Sequence, residues 1–189
     1  MSRAVIGHNN GPTMEAGTSW RRHCWGKARR DLLPSLPIEV VRGRVRRAAE
    51  IGLNYRTYAT VRATTGTDIV AFLFSSNALR LFRADQTMEA ARADKLRDLV
   101  KVARLGAAQP PLRGRDLSAM GDLIDLAADA PRFTDSAAIT RDKLRALLAQ
   151  GGVTPKSVLV VGETSDERTW SLHGRMAGHL TGAQYFTDQ

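Results

Sequence analysis

The chain has 189 residues, 43% hydrophobic and 25% charged, and its 28 Lys and Arg against 19 Asp and Glu give a formal net charge of +9. That length supports one sizeable core or two small ones, the composition is that of an ordinary folded protein, and no apolar run reaches the roughly eighteen residues that a membrane-spanning helix needs. A single cysteine, Cys24, excludes an internal disulfide framework, and the amino-terminal segment has no apolar signal core, so a cytoplasmic protein is expected.

The charge is concentrated. Between residues 19 and 62, eleven Lys and Arg stand against Asp31, Glu39 and Glu50, a local net charge of +8 that leaves +1 for the remainder. A positive patch of this kind draws polyanions. Nucleic acid is the first partner to expect, and an acidic protein meeting an arginine-rich face is the second. The plain alternative is a solvated face in an arginine-rich chain.

In chain order, residues 1–18 hold HNNGP and few apolar groups, so a flexible tail is expected. Residues 19–33, SWRRHCWGKARRDLL, have helical spacing, with Trp20 and Trp25 facing a core and the arginines facing out. His23 and Cys24 are helix neighbours pointing about 100° apart, so they form no dyad. Without further Cys or His at ligand spacing, zinc is not expected. Pro34 and Pro37 end this helix.

Residues 42–66, RGRVRRAAEIGLNYRTYATVRATTG, read as two short helices around a sharp turn. Ala48 is small enough for a helix crossing, and Gly52 tolerates the positive φ of a turn. Leu53, Tyr58 and Val61 are placed to pin the pair together, and Asn54 is a good N-cap for the second helix. In this spacing the segment resembles the helix-turn-helix of bacterial and phage DNA-binding proteins, departing from it at Tyr58, where a β-branched aliphatic is usual, and at Arg47, where an apolar residue is usual. The resemblance implies a nucleic-acid surface. In it Arg42, Arg44, Arg46 and Arg47 position the protein on phosphates, Tyr55, Arg56, Thr57 and Thr60 are the candidates for base contacts, and Arg62 lies with them on the outer face of the second helix, which Asn54 begins.

The apolar run at 69–74, IVAFLF, reads as a buried strand in preference to a helix over 67–82. Ser75 and Ser76 follow it without a GxSxG elbow, so no nucleophile is assigned. Residues 86–105 show amphipathic helical spacing ended by Gly106, and AAQPPLRGR at 107–115 reads as a linker. Helices are expected over 118–128 and 140–150, a strand over 157–161, and a helix from the acidic turn 162–167 to Leu180. His173 and His179, six apart on that helix, would point in different directions. Neither GxGxxG nor GxxxxGK[ST] occurs.

The string VLVVGETSDE resembles the fourth motif of haloacid-dehalogenase-type phosphatases, in which a Gly and acids after a strand help to hold magnesium. The resemblance implies a metal role for Glu163 and Asp166. That chemistry also needs an Asp-x-Asp nucleophile pair after the upstream strand, and Phe74-Ser75-Ser76-Asn77 supplies no aspartate.

The fold expected is α/β or α+β, mostly helical, with a small sheet from strands near 69–74 and 157–161. The divisions expected are a tail (1–18), a basic helical domain (19–106), a linker (107–117) and an α/β subdomain (118–189). The function expected is DNA binding of a regulatory kind, without cofactor, metal or catalytic residue. The alternatives are a small α/β enzyme, or an inactive phosphatase-like relative, with Glu163 and Asp166 at the strand end, and a protein–protein adaptor.

Overall fold

The computed structural model describes residues 36–187. The chain divides into two compact units, Met1–Val41 and Arg42–Gln189. Of the first, residues 36–41 are described; there the Pro37 carbonyl accepts the N–H groups of Val40 and Val41. The tail, the tryptophan-bearing helix expected over 19–33, and Cys24 lie outside the described residues. Among the described residues no helix is long and apolar enough to cross a membrane.

The second unit is built on a five-stranded, all-parallel sheet of order β3-β2-β1-β4-β5. Its strands are β1 (Ala71–Ser75), β2 (Ala103–Ala108), β3 (Leu126–Asp129), β4 (Val158–Gly162) and β5 (Gly178–Thr181). The helices are α1 (Ile38–Glu50), α2 (Tyr55–Thr65), α3 (Ala90–Arg97), α4 (Gly114–Ser118), α5 (Ala137–Gln150), α6 (Ser165–His173) and α7 (Gly182–Phe186). β1 is central, pairing Ala71 with Ala103 of β2 and with Val158 of β4. Both central strands are buried throughout, which is why they read as unbroken apolar runs: a parallel sheet is covered on both faces.

Alternation along the strands sends side chains to two cores. Phe72, Phe74, Leu159 and Val161 meet Ala48, Ile51, Tyr58, Leu96, Leu117 and Tyr185 on one face. Ala71, Leu73, Leu105, Val158 and Val160 meet Leu144, Leu147, Leu148 and Trp170 on the other. The sheet is therefore sandwiched, with α1–α2, α3, α4 and α7 contributing to one side and α5 and α6 to the other.

Several elements differ from the sequence reading. The helix expected over 86–105 is confined to Ala90–Arg97; after a turn at Lys101, with φ of 56°, the chain enters β2. Gly106 lies inside that strand, where an added Cβ would sit 3.0 Å from Ala127. The stretch 107–117 contains the end of β2 and most of α4, with Ala107, Ala108, Leu112 and Leu117 buried. The helix expected over 118–128 is replaced by α4 and β3, although Leu123 and Ile124 are buried as expected. The last helix stops at His173, and 178–181 forms β5. In each case Ala, Gly, Arg or His stand where β-propensity is low, and pairing to an already buried neighbour strand prevails over that preference.

Candidate functional site

The parallel sheet has two ends of opposite chemistry, and the residues singled out from the sequence fall on both. At the amino ends of the strands lies the α1–α2 pair. Gly52 takes φ of 64°, the left-handed conformation the turn requires. Ala48, Ile51, Leu53 and Tyr58 are buried and Val61 packs against them. Asn54 caps α2 by accepting the Thr57 N–H at 2.8 Å. The turn is seated on the α/β body: a Cβ at Gly52 would lie 3.2 Å from Lys95, 3.3 Å from Leu99 and 3.4 Å from the Tyr185 hydroxyl.

Asp68, just ahead of β1, gathers this end. It accepts from Arg47 Nε at 3.1 Å and from the Tyr58 hydroxyl at 2.8 Å, with Arg62 Nη1 at 3.6 Å. Burial raises the Tyr58 hydroxyl above its ordinary titration range, and the hydrogen bond to Asp68 and its charge add to the rise. Arg47 also donates to the carbonyls of Ile69, Val100 and Lys101 at 2.9–3.0 Å. Its guanidinium therefore ties α1 to the entries of β1 and β2.

The ten residues expected to contact nucleic acid thus divide. Arg47 and Arg62 are engaged with Asp68. Arg44, Tyr55 and Thr57 are half-buried, and Asn54 is exposed with its side-chain oxygen occupied as a cap. Arg42, Arg46, Arg56 and Thr60 are exposed, and the Thr60 hydroxyl donates back to the Arg56 carbonyl at 2.9 Å.

At the carboxyl ends, β1 leads to β2 on one side while β4 lies on the other. The loops leaving β1 and β4 diverge, and a crevice opens between them, as it does at the switch point of open α/β sheets. The crevice has a volume of about 520 Å³ and is lined by Asn77, Gln109, Thr164 and Asp166, together with Pro110, Pro131, Arg132 and Phe133. Beneath it lies Glu167, which is fully buried. Its Oε1 accepts from Asn77 Nδ2 at 2.8 Å and Gln109 Nε2 at 3.3 Å. Its Oε2 accepts the backbone N–H groups of Glu163 and Thr164. The Thr164 hydroxyl in return accepts the Glu167 N–H, closing a capping box at the start of α6.

This donor set decides how well magnesium would fit. Glu163 is exposed and its Oε2 accepts the Gly182 N–H at 2.8 Å. Glu167 is saturated by neutral donors, and β1 ends in serines, with Ser75 Oγ accepting from Ala78 N–H and Ser76 Oγ from Gln109 N–H. No group of three or more metal-ligating side chains occurs among the described residues. The residues do not fit a phosphatase-type magnesium site: Glu163 accepts the Gly182 N–H, Glu167 is already satisfied, and β1 supplies no carboxylate to stand with Asp166. His179, on β5, has its Nε2 buried without a hydrogen-bond partner among the described residues; burial and the nearby Arg168 depress its pKa.

No family model, curated protein or solved structure matches this chain. In the sequence Asn77 is noted only for the aspartate it is not, and Gln109 and Phe133 are not found. Both follow strands that composition concealed; a polar residue just past a parallel strand is the signal that would have found Gln109, and Phe133 carries no such signal.

Proposed function

We propose that the protein is a nucleic-acid-binding protein in which the α/β body carries a basic helix pair, rather than a hydrolase. The observation that supports this best is the partition of residues across α1–α2. Those that a helix-turn-helix turns inward are buried, and the outer side is basic, with Arg42, Arg46 and Arg56 exposed. Arg46 and Arg56 form no ion pair among the described residues, so docking phosphates on them breaks no internal bond. Arg47 and Arg62 serve in this reading to hold the pair in place.

The test is a titration of duplex DNA at about 50 and 200 mM salt. With about four phosphate contacts, affinity falls roughly a hundredfold between the two. Arg46→Gln with Arg56→Gln reduces the salt slope by about 2. Absence of binding at the lower salt, or a double variant that binds like the parent, overturns the reading.

A second reading draws on the acidic turn after β4. In it the chain is an inactive relative of haloacid-dehalogenase-type phosphatases that keeps a strand-end crevice. Its support is the buried Glu167, satisfied by two amides and two backbone N–H groups where a metal-dependent enzyme needs a carboxylate open to its ion. It predicts no magnesium-dependent phosphatase turnover.

A further inference from the structure

The crevice at the carboxyl ends presents an unusual set of unused groups. A carboxylate only accepts hydrogen bonds, so Glu167 fixes the Asn77 and Gln109 amides with their nitrogens toward it. Their oxygens are thereby turned away from Glu167, and neither oxygen has a hydrogen-bond partner among the described residues. Both residues line the crevice, and the Asp166 carboxylate lines it as well. Phe133 stands at the same crevice 84% exposed, a large apolar ring left in water that no packing within the described chain explains. Arg132 and Asp166 place opposite charges on the lining and Glu167 adds a carboxylate beneath it, so nothing there selects an anion.

We infer that this crevice binds a neutral, amine-bearing heteroaromatic ring, the chemistry of an adenine- or cytosine-type base in a nucleoside. The ring stacks on Phe133. Its exocyclic amine donates its two N–H groups, one to each of the Asn77 and Gln109 oxygens, which Glu167 holds in the accepting orientation. A polar pair that is preset in this way discriminates strongly against a ring lacking the donor, because one buried acceptor then goes unpaired. The site lies at the opposite end of the sheet from α1–α2, so it stands independently of the nucleic-acid reading.

The test uses the full chain and adenosine, followed by calorimetry and by amide chemical shifts. Saturable binding with Kd below about 1 mM is expected, with shifts at residues 77, 109, 133 and 164. Phe133→Ala, which removes an exposed side chain and leaves the core untouched, weakens adenosine by about tenfold or more. Inosine, with a carbonyl in place of the amine, binds about tenfold or more weaker than adenosine. The Arg46→Gln/Arg56→Gln variant binds adenosine like the parent, and Phe133→Ala binds duplex DNA like the parent, which separates failure of one site from failure of the other. No saturation up to about 10 mM, an unaffected Phe133→Ala, or equal affinity for inosine overturns the proposal.

Discussion

Each end of the sheet is organised by one carboxylate, and the two are satisfied in opposite ways. Asp68, about a third exposed, is met by the side chains of Arg47, Arg62 and Tyr58. Glu167, fully buried, is met by two amides and two backbone N–H groups, all neutral. Glu50 also pairs with Arg47, so the two cations of this cluster are balanced by two acids, and the positive charge at the amino end is that of the exposed Arg42, Arg46 and Arg56. Amides around the other acid leave oxygen acceptors facing a crevice. One end is therefore held by ion pairs and the other by neutral donors.

The largest effect that separates the two ends is expected from Glu167→Ala. It leaves four part-buried N–H donors without their acceptor, costing about 3–5 kcal/mol in all. At roughly 2–4 °C per kcal/mol for a domain of this size, the melting temperature falls by about 10 °C or more, and the loss is insensitive to salt. A drop of only a degree or two would show that Glu167 does not organise that end.

Asp68→Asn is expected to cost less, about 1 kcal/mol, because the side chain is partly exposed and its ion pairs are screened. Its penalty shrinks in about 0.5 M salt, where exposed charges are largely screened, and the Tyr58 titration moves back toward the ordinary tyrosine range. Equal salt responses for the two variants would break the contrast between the ends.

Gly52→Ala places a Cβ on a residue with φ of 64° and close to Lys95 and Leu99. The expected cost is about 1 kcal/mol, read as a shift in urea midpoint. DNA affinity should fall with it if the turn sets the angle between the helices.

The smallest effect concerns His179. Its folded pKa lies below the ordinary 6.5, so the unfolded chain binds the extra proton first as pH falls. Its stabilising contribution is complete above about pH 6.5 and is lost on acidification through the folded pKa. His179→Gln should flatten the melting-temperature profile on the acid side of 6.5 relative to the parent. An unchanged slope would assign that acid sensitivity elsewhere.

Legibility in the sequence followed local self-sufficiency. β4 was evident because VLVVG is apolar on both faces and bounded by turn residues, and most of α5 because Leu144, Leu147 and Leu148 fall at helical spacing and Gly151 and Gly152 stop it, although its start at Ala137 lies three residues before the expected one. The α1–α2 turn was readable from Ala48, Gly52, Leu53 and Asn54, since each of these meets a local demand of backbone or cap. β2, ARLGAA, was not readable: Ala and Gly pack as a central strand only because β1 and β3 flank them, and the apolar spacing before it continues a helical pattern.

Of the sites, the sequence placed the arginines on the right helices but was silent on which were committed. Arg47 and Arg46 are neighbours of one residue type, yet Arg47 reaches Asp68 and three carbonyls just ahead of β1 and β2, while Arg46 faces outward. The sequence by itself determined the basic charge, the two central strands, the helix pair and its cap, because those depend on side-chain polarity, φ preference and short-range periodicity. Tertiary structure alone decided the five-strand order, the partners of Asp68 and Glu167, and the crevice between β1 and β4, because each joins residues separated by tens of positions whose proximity only the folded sheet creates.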